Sequence, residues 1–262
     1  MYIFHALSGL PLWTTAILLL IVSTCLAALA PLAIRRAVGF ERLVVNNEIA
    51  GFQYSTLGTS YAVLLALAFV AVWGDFRDAQ RLVDAEASSW GNLYILTDAL
   101  PEPSRTDART ALRSYVRALI DDEWPLMQEG RESELAAQAL QHVRKAMLEV
   151  QFGDPRTATV YDHMLDRLIE LTEGRRSRLD MLPGSLPPLI DMVLVVGAMI
   201  TIGFTLFFAG KAVRIQALMT GMLCLMINLV LFAAIELNYP FAGGVRVMAL
   251  PFEEVMRRVE AF

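Results

Sequence analysis

Four stretches of about twenty nearly charge-free residues constrain this chain more than any other feature, and they lie two on each side of a charged block. An α-helix needs ~20 apolar residues to cross ~30 Å of hydrocarbon, and soluble helices are rarely apolar on every face. The sequence therefore predicts an all-α, polytopic membrane protein with four transmembrane helices. These predicted spans 1 to 4 are Leu12–Ile34, about Gln53–Trp73, Pro188–Ala209 and Ile215–Ile235.

Composition narrows the function classes. The chain has 56% hydrophobic residues and a mean hydropathy of +0.49, and its net charge of -5 argues against a nucleic-acid partner, which would need a basic face. The sequence contains no HExxH motif, no Cys-x-x-Cys pair and no glycine-rich phosphate loop. We therefore expect no enzyme activity, no cofactor and no metal site.

The block between spans 2 and 3 shows apolar residues at helical spacing and no sustained alternation of period two. It is predicted to be an extramembrane helical bundle inserted between the two pairs of spans. The expected organisation is 1–74 for spans 1 and 2, 75–182 for the bundle, 183–237 for spans 3 and 4, and 238–262 for a C-terminal tail.

Local signals predict where the helices of the block begin and end. Proline and glycine clusters at 101–103, 130, 153–155 and 183–188 predict breaks. Ser104 and Ser133 are predicted N-caps. The acidic run Asp121-Asp122-Glu123 is interpreted as a solvated face, because three consecutive acids on a helix cannot converge on a Ca²⁺ ion.

Only Gly74 interrupts a continuous helical pattern from about Asn47 to Leu100. The sequence thus predicts that span 2 continues as one helix into the bundle. Such a helix is suited to gating, and it equally suits a rigid support.

Span 2 carries small side chains at intervals of three or four residues. Small residues in lipid usually indicate close helix packing, whereas copies of such a helix around an axis would leave room for an ion and its waters. Both alternatives stay open, and both predict a helix buried in protein. The span 2 seam consists of Gly51, Ser55, Thr59, Ala62 and Ala66, and Asn46, Asn47 and Glu48 continue it at its mouth.

Three further polar residues fall within or at the ends of other spans. They are Asp191 in span 3, Asn228 in the middle of span 4, and Glu236 at the end of span 4. Ionisable groups at bilayer depth are costly and are candidates for function. The three can equally serve as anchors or as hydrogen-bond partners of neighbouring helices.

Several segments resemble an uncharacterised four-span family described as bestrophin-like. They include Asn46–Phe52, Asp122–Pro125, the Thr201–Thr205 run and the tail from Tyr239 to Phe252. The order of two spans, a helical block and two spans is also that of bestrophins, which are pentameric anion channels. An acidic Ca²⁺ clasp after span 4 and an aromatic and isoleucine pore neck are not recognisable in this sequence.

The resemblance implies an oligomeric ion channel in the plasma or inner membrane, with the lipid bilayer, further copies of the chain and small inorganic ions as partners. The alternative is a non-conducting sensor or scaffold whose bundle binds a partner. Basic residues in the loops after spans 1 and 3 place those loops in the cytoplasm by the positive-inside rule. The bundle is then expected outside the cytoplasm, although its own basic flanks and the bestrophin likeness favour the opposite side.

Overall fold

The computed structural model describes residues 12–44, 47–150 and 155–260, and these ranges contain helices and no strands. The predicted all-helical fold is confirmed for this part of the chain. Its α-helices are α1 (Leu12–Val38), α2 (Phe40–Val44), α3 (Asn47–Leu96), α4 (Ser104–Ala118), α5 (Trp124–Gln128), α6 (Glu134–Leu148), α7 (Pro155–Asp180), α8 (Pro188–Phe204), α9 (Val213–Asn238) and α10 (Leu250–Glu260).

The helices α1, α3, α8 and α9 are long and apolar enough to cross a membrane. Predicted spans 1, 2 and 4 lie within α1, α3 and α9, whereas the prediction for span 3 is too long, because α8 ends at Phe204 and not at Ala209. Helix α3 continues without a break past Gly74 and has 50 residues, so the prediction of one helix through this glycine is confirmed.

The chain forms two compact units. The apolar unit comprises the residues up to Gly74 together with Ser185–Asn238, and the helical unit comprises Asp75–Gly184 together with the tail from Tyr239. The tail after α9 therefore belongs to the same unit as the charged block.

In the apolar unit, α3 packs against α8 and α9 through a buried cluster centred on Tyr61. The hydroxyl of Tyr61 donates a hydrogen bond of 3.1 Å to the carbonyl oxygen of Leu194. Gly197 makes this approach possible, because a Cβ atom there would lie 2.7 Å from the tyrosine ring. The cluster consists of Tyr61, Leu65, Ala68, Leu194, Ala198, Ile227 and Leu231.

In the helical unit, large side chains from α3, α4, α6 and α7 fill one core. Trp90 is fully buried, and its indole Nε1 donates a 3.0 Å hydrogen bond to the carbonyl oxygen of Leu112. Buried indole groups need such a partner, because an unpaired N–H in an apolar core is costly. This core also holds several buried charges, which are described below.

The helix ends agree with the sequence signals at one cap and differ at another. Ser133 caps α6, and its hydroxyl oxygen accepts a 3.0 Å hydrogen bond from the amide of Ala136. The prediction for Ser104 is wrong, because Pro103 occupies the cap position of α4. The carboxylate of Glu102 instead accepts hydrogen bonds from the amide and hydroxyl of Thr106. These bonds supply the acceptor that a capping serine would have supplied.

Candidate functional site

The seam of small residues lies on a different face of α3 from the buried Tyr61 cluster. Ser55, Thr59, Ala62 and Ala66 are all exposed in the single chain, whereas Tyr61 and Leu65 are buried. Successive helical residues are offset by ~100°, which places the seam roughly a third of a turn from the Tyr61 face. The described residues of the chain leave this face uncovered from Ser55 to Ala66, over roughly 16 Å of helix.

The N-terminal end of the seam on α3 is here called its mouth. Some of its residues contact other parts of the chain, and others are exposed. Gly51 is half-buried, and a Cβ atom there would lie 3.8 Å from the ring of Phe208. The Asn47 amide group donates a 2.8 Å hydrogen bond to the carbonyl oxygen of Ala209 and accepts one of 3.1 Å from its amide. Asn47 therefore ties the start of α3 to the turn before α9. Glu48 is exposed, and Asn46 lies outside the described residues.

The other polar candidates lie elsewhere in the apolar unit. The Asn228 side-chain nitrogen donates a 2.9 Å hydrogen bond to the hydroxyl of Ser23, which joins α9 to α1. Asp191 is half-buried in the first turn of α8. Glu236 is 8% exposed in the last turns of α9. Asn228 thus has the contact expected of an asparagine at membrane depth, a hydrogen bond to a neighbouring helix.

A buried charge network in the helical unit was missed by the sequence reasoning. Arg178 on α7 is fully buried, and its guanidinium forms ion pairs of 2.7 Å with both Glu86 and Glu123. Arg175 reaches the second of these carboxylates at 2.5 Å. Two acids and two bases balance, so the network has no net charge. Burying the charges of Glu86, Glu123 and Arg178 is tolerable only because each has a partner of opposite sign.

A hydroxyl donor and close packing between helices complete the network. The hydroxyl of Tyr115 donates a 3.0 Å hydrogen bond to Glu86 Oε1. Gly174 lets α7 approach α3, because a Cβ atom there would lie 3.1 Å from the Glu86 side chain. Burial raises the pKa of Tyr115 well above its ordinary value, and the charge of Glu86 adds to this rise. Tyr115 therefore stays a hydrogen-bond donor at all ordinary pH values.

The protonation of Arg178 follows from the same contacts. Burial alone would lower the pKa of its guanidinium, but the charges of Glu86 and Glu123 outweigh burial and raise that pKa above its ordinary value. The ion pairs thus hold Arg178 in the charged form.

The position of Glu123 depends on a π-helical turn at Leu119–Glu123. The amide of Trp124 bonds to the carbonyl oxygen of Leu119, five residues back, so one extra residue is accommodated and both Glu123 and Trp124 face the core. The interpretation of residues 121–123 as a solvated face is therefore wrong for Glu123, which is fully buried. Turns of this kind often mark functional sites.

The C-terminal tail packs onto the same tryptophan. The indole Nε1 of Trp124 donates a 3.2 Å hydrogen bond to the carbonyl oxygen of Val247. The rings of Phe241 and Phe252 meet the Trp124 ring edge to face, at 6.2 and 6.0 Å. On the indole, the Arg178 guanidinium lies 4.8 Å from the ring centroid. Trp124 thus joins the tail to the buried charge network.

In the described ranges, no three His, Cys, Asp or Glu residues lie close enough together to hold a metal ion. The arrangement of buried, balanced ion pairs is typical of a structural core rather than of a reaction centre. An exposed helix face in the apolar unit and a locked core in the helical unit are the two features that bear on function.

A family model and comparisons with solved structures both relate this chain to bestrophin-like proteins. A family model described as Bestrophin-like domain matches residues 20–252. The fold is similar to that of a bacterial bestrophin homologue from Klebsiella pneumoniae, with a TM-score of 0.71 and 15% identity over 92% of this chain and 97% of that one. A point variant of that homologue gives a TM-score of 0.71 and 17% identity over 92% and 98% of the two chains. Among curated proteins no match was found.

Proposed function

This chain belongs to the bestrophin-like family, and because bestrophins are membrane channels, we propose that it forms a homo-oligomeric ion channel with α3 lining the pathway. The observation that carries the proposal is the uncovered seam of α3. Its hydroxyl and methyl side chains are exposed in the single chain, although they lie within a helix long and apolar enough to span a membrane.

A symmetric oligomer can supply the pore walls that a single chain lacks. Four spans with one small-residue seam cannot enclose a pore alone, so copies of α3 around a common axis must provide the walls. Lipid would cover such a face without difficulty, but lipid gives no reason for the recurrence of small and hydroxyl side chains. The proposal assigns that recurrence to ion passage and to contact between subunits.

In this arrangement Glu48 lies at the mouth of the pathway. One exposed carboxylate per subunit becomes a ring of negative charge, which attracts cations and repels anions at close range. Asn47 has a different role, since its amide holds the start of α3 against Ala209. The permeating species proposed here are therefore small inorganic ions, with selectivity adjusted by Glu48.

The chain is proposed to cross the plasma or inner membrane four times, with the basic last turn of α1 and the basic turn after α8 in the cytoplasm and the helical unit outside. A cysteine placed at Gly130, with Cys25 and Cys224 replaced, should then react with a membrane-impermeant thiol reagent in intact cells. Labelling only after lysis would reverse this orientation and leave the channel proposal intact.

The channel proposal is tested by reconstitution. Purified protein in liposomes should dissipate an imposed gradient of a small ion, monitored by a fluorescent indicator inside the vesicles. Strict impermeability to small anions and cations alike would refute conduction and favour a non-conducting sensor or scaffold. Ala62→Leu provides an internal comparison, because a larger side chain on the seam should reduce the flux.

A further inference from the structure

A cavity of about 660 Å³ opens in the apolar unit beside the turn between α8 and α9. We call it the turn cavity. Its walls are mostly apolar and come from α3, the turn and the first part of α9; Tyr54, Phe208, Ile215, Met219 and Leu223 are among the lining residues. The volume is within the range of sites that hold a drug-sized ligand.

The lining of the turn cavity follows one face of α9. It runs along this helix from Ile215 to Leu223, and eight helical steps correspond to roughly 12 Å. The apolar walls therefore extend from the end of the helix into the part that would lie in hydrocarbon. A cavity of this shape suits an alkyl chain better than a compact solute.

Two basic residues lie beside the turn at one end of the turn cavity, although neither belongs to its lining. Lys211 lies between Gly210 and Ala212, which both line the cavity, and Arg214 directly precedes the lining residue Ile215. Both basic side chains are exposed, and among the described residues neither forms an ion pair. Arg35 on α1 also reaches this turn and donates a 3.1 Å hydrogen bond to the carbonyl oxygen of Gly210.

The turn itself is held in place. The Asn47 amide group bonds to both polar backbone atoms of Ala209, and the side-chain nitrogen of Gln216 bonds to the carbonyl oxygen of Phe208. Tyr54 packs edge to face on Phe208, with ring centroids 5.6 Å apart. The turn with the two basic residues is thus fixed relative to the apolar walls of the turn cavity.

We propose that the turn cavity binds an anionic phospholipid, with one acyl chain between α3 and α9 and the phosphate at Lys211 and Arg214. Basic clusters beside transmembrane helices attract acidic headgroups, and each Lys or Arg near the membrane surface contributes measurably to this attraction. An exposed base can also serve simply as an interfacial anchor. That alternative explains the charges, but it does not explain an apolar cavity that begins at the same turn.

The test measures lipid retained by the purified protein. The protein is placed in nanodiscs made of phosphatidylcholine and phosphatidylglycerol in equal parts, and co-purifying lipid is identified by native mass spectrometry. The wild type should retain phosphatidylglycerol over phosphatidylcholine by on the order of tenfold, as two basic groups at the headgroup would give. Equal retention of the two lipids would overturn the proposal.

Two test variants, each with a matched control, distinguish binding of the lipid headgroup from binding of its acyl chain. Lys211→Gln with Arg214→Gln should remove the preference for phosphatidylglycerol, whereas Arg144→Gln with Lys145→Gln, an equal charge change on exposed residues of α6, should preserve it. Met219→Trp should fill the turn cavity and abolish retention. Met222→Trp is the matched control, because Met219 and Met222 are similarly exposed, at 66% and 63%, and only Met219 lines the cavity.

Two results would contradict the assignment. Full preference in the Lys211 and Arg214 variant would show that these charges do not bind the headgroup. Equal loss of lipid in Met219→Trp and Met222→Trp would indicate lipid bound around the helix rather than in the cavity. Lipid retention requires no conduction, so this proposal and the channel proposal can fail independently.

Discussion

Replacing Arg178 by methionine should destabilise the helical unit strongly. The guanidinium donates two hydrogen bonds to Glu86, of 2.7 and 3.1 Å, and one of 2.7 Å to Glu123. Without it, the partner left to Glu86 among the described residues is the Tyr115 hydroxyl, while Glu123 keeps its ion pair with Arg175. Removing one partner of a buried ion pair costs about 3–5 kcal/mol.

At ~2–4 °C per kcal/mol for a chain of this size, the expected fall in Tm is roughly 10 °C. The assay is thermal unfolding in a mild detergent, followed by intrinsic tryptophan fluorescence. Arg176→Met is the matched control. The Arg176 side chain is 84% exposed, and its ion pair with Asp180 is long, at 4.0 Å. This exposed pair contributes little, so the control should melt close to the wild type.

A second substitution tests the cause of the loss. Glu86→Gln removes the unpaired charge but keeps an oxygen that accepts the bond from Tyr115. The double variant Glu86→Gln with Arg178→Met should therefore melt higher than Arg178→Met alone. A wild-type Tm for Arg178→Met, or a double variant no more stable than the single one, would refute the argument that the ion pairs hold this core together.

Three further predictions concern packing, assembly and pH. Gly197→Ala should destabilise the apolar unit by about 1–3 kcal/mol through a clash with Tyr61, whereas Gly203→Ala, with nothing near its Cβ position, should not; equal melting of the two variants would contradict this. Ala62→Leu should weaken the oligomer in light scattering where the seam contacts a neighbouring subunit, because the contact would be overpacked by a few kcal/mol; an unchanged assembly with reduced flux would place Ala62 at an open lumen, and an unchanged assembly with unchanged flux would place it toward lipid. The wild type should be more stable than Tyr115→Phe by a constant amount below pH 10, and this advantage should shrink above pH 10. The reason is that the pKa of Tyr115 in the folded state is raised above its ordinary value of 10.0, so the hydroxyl stays protonated in the fold while it begins to ionise in the unfolded chain. A difference in melting temperature that stays constant above pH 10 would be evidence against a buried neutral Tyr115.

The apolar stretches could be predicted because membrane-length hydrophobicity is a property of the local sequence. The same holds for the break before α4 and for the Ser133 cap, where a serine and its neighbours suffice. Helix α3 was predictable through Gly74 because a single glycine costs only about 1 kcal/mol in a helix.

The buried charges could not be recognised as easily, since each acid or base by itself favours the surface. Their positions nevertheless carry a signal. Glu86 lies three residues after Val83 and four before Trp90, on the buried stripe of α3. Arg178 likewise lies seven residues after the buried Leu171. Opposite charges on core stripes of different helices indicate an internal ion pair.

The π-helical turn also had a sequence signal. On the buried stripe, Tyr115 and Leu119 are spaced by four residues, but Leu119 and Trp124 are spaced by five, and Ile120 between them is only half-buried. A spacing of five does not fit one face of an α-helix, and it does fit a turn with one extra residue. The role of the seam is harder to predict, because small residues suit close packing between helices and the walls of a pore equally well.

The reversal potential of the reconstituted protein under an asymmetric salt gradient tests the central claim most directly. If α3 lines the pathway, Glu48→Gln removes one negative charge per subunit at the mouth and should shift the reversal potential toward anions. Glu41→Gln on α2, which removes another exposed carboxylate that is not part of the seam, should leave it unchanged. Reversal potentials that are identical in the wild type and Glu48→Gln would contradict a pathway along this face of α3.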